Sequence, residues 1–347
     1  MTRYINKIKV YFFLFFVIIS LLVAFRKDSV GSDSYRYVGR FVRASLEEGI
    51  LSSRFDIGFI YFMELVGVFT SSPTVFFFFI ALLISMLLYS SYKSASIGNR
   101  IYHDIFFVSF LLLSGWYITE LTNGIRQGMA LSILYWAIFT QLRVSNYIKF
   151  LLLFFLSVSF HFSVLLILPF LILIKLSLKN LSCIWFLTLF FYILGFNELI
   201  VATLSQALNI EIYDMIKYYS VSDVTELDST RWVGLQWNFL IYTVFFGMLS
   251  MGVFFFKKNE LINRESFAFI IKVYLIISLV YFVFGFGPYS NRYAIMAWFF
   301  LPILQVAVMI QIKLSLSSLN AVATLLPIIA ISYFLFIRLD WLDYFQL

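Results

Sequence analysis

A small set of charged side chains stands where a phosphorylated substrate could be handled. Arg126 sits beside Gln127 at the end of Glu120-Leu121-Thr122-Asn123-Gly124-Ile125-Arg126-Gln127, and Arg292 opens a later apolar run. His161 lies in Phe160-His161-Phe162-Ser163, and Asp33 in Ser32-Asp33-Ser34-Tyr35-Arg36-Tyr37, followed by Arg40 and Arg43. A guanidinium fork donates two parallel hydrogen bonds to phosphate oxygens, so two or three arginines converging would fit a diphosphate. An imidazole with a pKa near ~6.5 is poised as a general base. An aspartate would need desolvation or a like-charged neighbour to reach that range. Each residue also has a structural reading. Arg126 and Arg292 would snorkel to headgroups, His161 would pack between its phenylalanines, and Asp33 would cap a helix. Arg36, Arg40 and Arg43, at i, i+4 and i+7, would share one helix face against anionic headgroups. Gly58, Gly67, Gly115, Gly124 and Gly128 would allow close helix packing.

The elements that must position these groups follow from composition. Of 347 residues, 62% are apolar, 21% aromatic and 12% charged, against ~45–50% apolar and ~25% charged in a soluble domain. No soluble fold of this size hides that much apolar surface. The expected class is an all-α, polytopic integral membrane protein, a single membrane domain over 1–347. A soluble enzyme, a nucleic-acid-binding domain and a disulfide scaffold are excluded, the last because Cys183 is the one cysteine. With two histidines, His103 and His161, no histidine-rich metal site is expected, and no cofactor.

Arg3, Lys7 and Lys9 precede an apolar run from about Val10 to Phe25 without a small-x-small ending, which reads as an uncleaved first span. Further runs lie at about 74–92, 104–119, 126–142, 147–160, 163–178, 182–198, 237–256, 266–286, 293–311 and 319–337. A weaker run at about 57–70 holds Glu64 and ends at Ser71-Ser72-Pro73; it either crosses or dips in and returns. The expectation is therefore about 11–12 transmembrane helices. Phe76-Phe77-Phe78-Phe79 would favour strand in water, but in lipid the backbone must satisfy itself and helix wins. The alternating ~10-residue segments of a membrane barrel are absent.

Charge orients the spans. With a cytoplasmic N-terminus and 57–70 not crossing, fourteen of the 25 Lys and Arg fall on the cytoplasmic side with three carboxylates. Eleven cations and fifteen of the 18 carboxylates are left outside. That split follows the positive-inside rule. It leaves two sizeable outer segments, about 26–56 and 201–237, and puts Asp33, Arg126, His161 and Arg292 on the outer side. The second segment holds Tyr213, Tyr218, Tyr219, Trp232 and Trp237, suited to stacking on sugar faces or to an interfacial belt. The cytoplasmic loops are short and basic and hold no P-loop, which argues against a nucleotide-driven pump.

Five fragments together resemble the EpsG family of polysaccharide polymerases, related in function to the Wzy O-antigen polymerases. They are Asp33-Ser34-Tyr35-Arg36-Tyr37 followed by Phe41, Phe55-Asp56-Ile57-Gly58-Phe59, Asn123-Gly124-Ile125-Arg126-Gln127-Gly128-Met129-Ala130, Ser159-Phe160-His161-Phe162-Ser163, and Asn291-Arg292-Tyr293. At Asp56 the family often has a glutamate, and no catalytic role is carried over to it. The resemblance implies a metal-independent glycosyltransferase of GT-C-like membrane architecture. It would polymerise undecaprenyl-diphosphate-linked repeat units into O-antigen or exopolysaccharide on the periplasmic face of a bacterial inner membrane. Its partners would be a lipid-linked donor and acceptor, the bilayer and a chain-length regulator, with no nucleic acid. On this reading Arg126 and Arg292 clamp the donor diphosphate, with Arg36 or Arg40 assisting. His161 or Asp33 serves as base, and Tyr35, Gln127 and Tyr293 hold the glycan. The rival expectations are a flippase or transporter of lipid-linked oligosaccharide, which would need a charged path at mid-membrane, an O-antigen ligase-type transferase, and a membrane acyltransferase. Only Lys272 and Glu64 are charges within spans on this reading, and they make no path.

Overall fold

The computed structural model describes residues 2–26, 33–45, 56–96, 98, 100–217, 234–257, 259–287, 289–312 and 316–335. Among these residues there are helices and no strands. The chain is an all-α polytopic membrane protein. Its contacts gather into two compact units, Met1–Leu165 with Lys313–Leu347, and Leu166–Ile312.

The first unit holds α1 (Thr2–Ala24), α2 (Ser34–Ser45), α3 (Ile57–Gly67), α4 (Pro73–Ser94), α5 (Ile101–Leu113), α6 (Gly115–Thr122), α7 (Ile125–Ala137) and α8 (Tyr147–Phe160). The second begins with α9 (Leu168–Leu171), α10 (Leu178–Ile193), α11 (Phe196–Leu208) and α12 (Ile212–Lys217). It continues through α13 (Trp237–Phe256), α14 (Arg264–Phe284), α15 (Ser290–Trp298) and α16 (Leu301–Gln311), and α17 (Leu316–Tyr333) returns to the first unit.

Three helices, α4, α13 and α14, are long and apolar enough to cross a membrane unbroken. Three further spans would be bent pairs: α5 with α6 (66°), α10 with α11 (96°) and α15 with α16 (41°). The run at 104–119 is thus broken at Ser114, whose backbone is extended. The run at 182–198 ends at Gly195, whose positive φ of 74° turns the chain away. The outer segment expected at 201–237 accordingly opens inside α11. Phe162–Lys175 is wound largely as tight 3-10 turns around the short α9, with Pro169 in its first turn.

In the first unit α4 is flanked by α1 and α7, α7 by α8, and α5 by α17. The Phe76–Phe79 run lies in α4, as lipid demands of an apolar backbone. One end of this unit collects Lys93 paired with Asp104 at 2.9 Å, and Arg143 donating to the carbonyls of Ser94 and Ala95. The helix ends near Arg26, Asp33, Asp56, Asn123 and His161 lie at the opposite end.

Both ends of α3 stay at that opposite end. Asp56 lies beside the start of α7 and the end of α8, while Phe59 and Phe62 approach Phe76 in the first turn of α4 at 6.1 and 6.2 Å between ring centroids. Eleven residues of helix span ~16 Å, well short of a ~30 Å hydrocarbon core. By length alone the helix is too short to carry the chain across such a core.

In the second unit α14 is central, with nearly all of its residues from Ile270 to Phe282 buried. Several of its buried polar groups find partners within the unit. The Trp185 indole N–H donates to Ser278 at 2.7 Å, and the Tyr274 hydroxyl to the Thr243 carbonyl at 2.8 Å. The Trp298 indole donates to the Thr243 hydroxyl at 2.8 Å. Buried donors without water need such acceptors.

Candidate functional site

The α2 sequence places Tyr37 and Phe41 one turn apart on its buried face, with Tyr35 and Arg36 exposed. Tyr37 packs edge-on against Phe59 of α3, and Phe41 stacks on Phe76 of α4 at 4.5 Å. The helix is tied down at its start. The Asp33 N–H donates to Asn123 Oδ1 at 3.1 Å, and the Ser34 hydroxyl to the Thr122 carbonyl at 3.0 Å. Buried Arg26, just beyond α1, donates to the Val23 carbonyl at 2.9 Å, to Ser34 Oγ and to the Thr122 carbonyl, and lies 3.8 Å from the Phe77 ring centroid.

On that platform three elements present one cluster. Asp56 stands immediately before α3, Arg126 is the second residue of α7, and His161 ends α8 with extended backbone. Arg126 Nη1 donates to Asp56 Oδ2 at 3.0 Å. His161 Nδ1 reaches the same oxygen at 3.4 Å, and the Phe162 N–H donates to Oδ1 at 3.1 Å. Arg126 Nε also donates to the Tyr37 hydroxyl at 3.4 Å. The side chains of Arg126, Asp56 and His161 are 20%, 18% and 15% exposed, enclosed but reachable. Close helix packing holds the geometry. A Cβ at Gly58 would overlap the Ser159 side chain and stand 2.9 Å from its carbonyl, so only glycine lets α3 lie this near α8.

Burial raises the Asp56 carboxyl, but the hydrogen bond and charge of His161, the Arg126 guanidinium and the Phe162 N–H outweigh it. The carboxyl is held below the usual range and stays ionised. Burial pushes the Tyr37 hydroxyl up, partly offset by Arg126, with Asp33 and Glu120 adding to the rise, so Tyr37 remains a neutral donor or acceptor. Ionised Asp56 can only accept, so neutral His161 carries its proton on Nδ1 and its lone pair on Nε2. The cluster thus joins a phosphate-competent guanidinium to an oriented imidazole.

The other sequence-predicted residues fall as follows. Asp33 pairs with exposed Arg36 at 3.4 Å, and Arg36 Nε donates to the Tyr35 hydroxyl at 2.9 Å. Arg40 lies one turn further along α2. Gln127 is buried on α7. Arg292 and Tyr293 belong to the second unit, at the start of α15, with the Arg292 guanidinium 4.7 Å from the Tyr289 ring centroid. Tyr213 stacks on Phe286 and donates to Glu198 at 3.1 Å, and Trp237 opens α13. Tyr218, Tyr219, Trp232 and Phe55 lie outside the described residues, as do 27–32 and 46–55 of the first outer segment and the side chain of Arg43. Among the described residues no three His, Cys, Asp or Glu side chains gather as a metal site.

Sequence reasoning gave no role to Asp56, Tyr37, Arg26 or Glu120. The available signal was an aspartate at a helix start followed by a helix-packing glycine, Asp56-Ile57-Gly58. Glu120, expected in an outer turn, is buried in α6, with its carboxylate against Gly124 and its backbone against Gly128.

No curated protein and no solved structure matches the chain. Over residues 9–345, nearly its whole length, the chain matches the EpsG family, a Wzy-like family of polysaccharide polymerases, and it belongs to that family.

Proposed function

We propose that this chain is a metal-independent glycosyltransferase that polymerises undecaprenyl-diphosphate-linked repeat units at the periplasmic face of a bacterial inner membrane. The observation that carries the reading is the meeting of Arg126, Asp56 and His161 at one end of the first unit. In the reaction the acceptor hydroxyl gives its proton to His161 Nε2 while its oxygen bonds to the donor's anomeric carbon. The bond from that carbon to the diphosphate oxygen breaks, and the charge developing on the diphosphate falls to Arg126. Preorganised charge stabilisation of this kind commonly contributes more to rate than any other single effect. Arg292, Arg36 and Arg40 are proposed as further diphosphate ligands. Asp33 is proposed to hold the acceptor hydroxyl, and Tyr35, Gln127 and Tyr293 the glycan.

The test is extension of a defined undecaprenyl-diphosphate-linked repeat by the purified full-length protein in nanodiscs containing a chelator. The wild type is expected to give a polymer ladder. Arg126→Ala and His161→Ala, at normal abundance, are expected to leave single repeats, a loss of about 10²–10³ in rate for the arginine. A wild-type ladder from both variants overturns the reading. So does a deletion strain with no surface glycan at all, the phenotype of a lost flippase, since a lost polymerase leaves single repeats at the surface.

A further inference from the structure

Asp56 occupies the N-cap position of α3, with φ −66° and ψ 139°, yet its carboxylate caps no N–H of that helix. A capping aspartate ordinarily stabilises its own helix by accepting from one of its first N–H groups. Here both oxygens turn outward. Oδ1 is held by the Phe162 N–H, and Oδ2 is shared by two neighbours, the Arg126 guanidinium at 3.0 Å and the His161 ring nitrogen at 3.4 Å. The arginine contact is the shorter and the histidine contact is long for a hydrogen bond.

We propose that Asp56 is a shared counter-ion that couples donor capture to acceptor activation: a diphosphate draws Arg126 from Oδ2, and the carboxylate then serves His161 alone. The inference deepens the proposed function and rests on its reading of Arg126 as diphosphate ligand and His161 as base. Arg126 is half of a competition for one oxygen. Once its guanidinium turns to phosphate oxygens, the His161 contact can shorten, and a positive neighbour leaves the imidazole. Both changes make Nε2 the stronger base, and they do so only when the donor is in place. Among the described residues, several charged and titratable groups stand around the pair. Tyr37 on α2 holds Arg126, Glu120 on α6 and Asp33 before α2 act on Tyr37, and Glu64 lies two turns along α3. Asp56 is a positioning residue here: the proton His161 accepts comes from the acceptor hydroxyl, and Asp56 gains and loses none. Coupling of this kind is reciprocal, so protonation of His161 must favour diphosphate by the factor that diphosphate favours protonation.

The chain has two histidines, so His161 is observable by histidine-labelled NMR of the full-length protein in nanodiscs, with His103 as internal reference and His161→Gln for assignment. Inorganic pyrophosphate is the probe. In the wild type it is expected to raise the His161 pKa by about 0.7 unit, a fivefold coupling, and to leave His103 unmoved. Asp56→Asn is expected to abolish that shift, to bind pyrophosphate more tightly because the competing carboxylate is gone, and to lower kcat without raising the donor KM. Asp56→Glu is expected to restore part of the shift, and it replaces Asp56→Asn should that variant not fold. An undiminished pyrophosphate shift in Asp56→Asn, or weaker pyrophosphate binding by that variant at unchanged Tm, overturns the coupling and leaves the site reading intact. Failure of the wild type to bind pyrophosphate removes the diphosphate reading and the coupling together.

Discussion

Arg126 and Asp56, 70 positions apart in the chain, meet through Nη1 and Oδ2 at 3.0 Å. Each stands at the start of a helix. A cation in the first turn of α7 faces the positive end of the helix dipole, while a carboxylate before α3 faces a favourable one. Bringing the two helix starts together lets the carboxylate offset the misplaced cation. The pair is about a fifth exposed, so it adds modestly to stability; its larger effect is to fix where the guanidinium and the imidazole stand.

Acid should dissolve this arrangement through Asp56. Its carboxyl is held below the usual range by His161, Arg126 and the Phe162 N–H against the opposing effect of burial. A group depressed on folding contributes stability that is fully present above its unfolded pKa, about 3.9, and is lost as pH falls through the lower folded value. Thermal unfolding followed downward from about pH 7 should show the wild type falling more steeply below about pH 4 than Asp56→Asn. Parallel curves for the two proteins would remove Asp56 from the account of acid stability.

Arg26 is expected to be a structural arginine, distinct from those of the site. It is buried, lies on the Phe77 ring and joins the ends of α1, α2 and α6. Arg26→Ala should cost ~2–3 kcal/mol, the worth of buried charge-assisted hydrogen bonds. Arg26→Lys should recover little, because a point ammonium cannot reproduce the fork or the flat ring contact. Detergent-solubilised Tm values measure both; a lysine variant as stable as the wild type would contradict this.

Gly58 sets the distance between the helix that ends at His161 and the one that begins after Asp56. Gly58→Ala puts a methyl group into Ser159, an overpacking expected to cost ~1–3 kcal/mol and to lower polymerisation by moving Asp56 from His161. Adding Ser159→Gly should recover part of both losses, since it removes the side-chain half of the clash and leaves the carbonyl. Polymer yield and Tm in the single and double variants test the pairing, and no recovery in the double variant would reject it.

The geometry of α3 predicts a topology. In a Cys183→Ser background, Ser71→Cys and Tyr35→Cys should react with an impermeant maleimide from one side of the membrane, and Val144→Cys from the other. Ser71 and Tyr35 flank α3 at the Asp56 end, and exposed Val144 follows α7 at the Lys93 end. Reaction of Ser71→Cys together with Val144→Cys would mean that α3 crosses.

By itself the sequence determined the class of protein, the helical state and the family, because each of these is a property of composition or of local pattern. Apolar runs in a chain with 12% charge have no stable home but lipid, and in lipid a backbone must bond to itself. It also marked Arg126 and His161, since polar groups at the margins of apolar runs are costly and visible. Where a run bends was less legible: Ser114 and Gly195 break helices through local dihedrals that hydropathy does not record. Which of the marked groups meet is instead a property of the packed helices. Asp56 acquired its place because α3 packs closely on α8 at Gly58, with the start of α7 beside it, whereas Asp33, the carboxylate the sequence favoured, turned to Arg36. The physical reason is range: composition and periodicity act over a few residues, while the 3.0 Å contact between Asp56 and Arg126 depends on three separate helices having packed first.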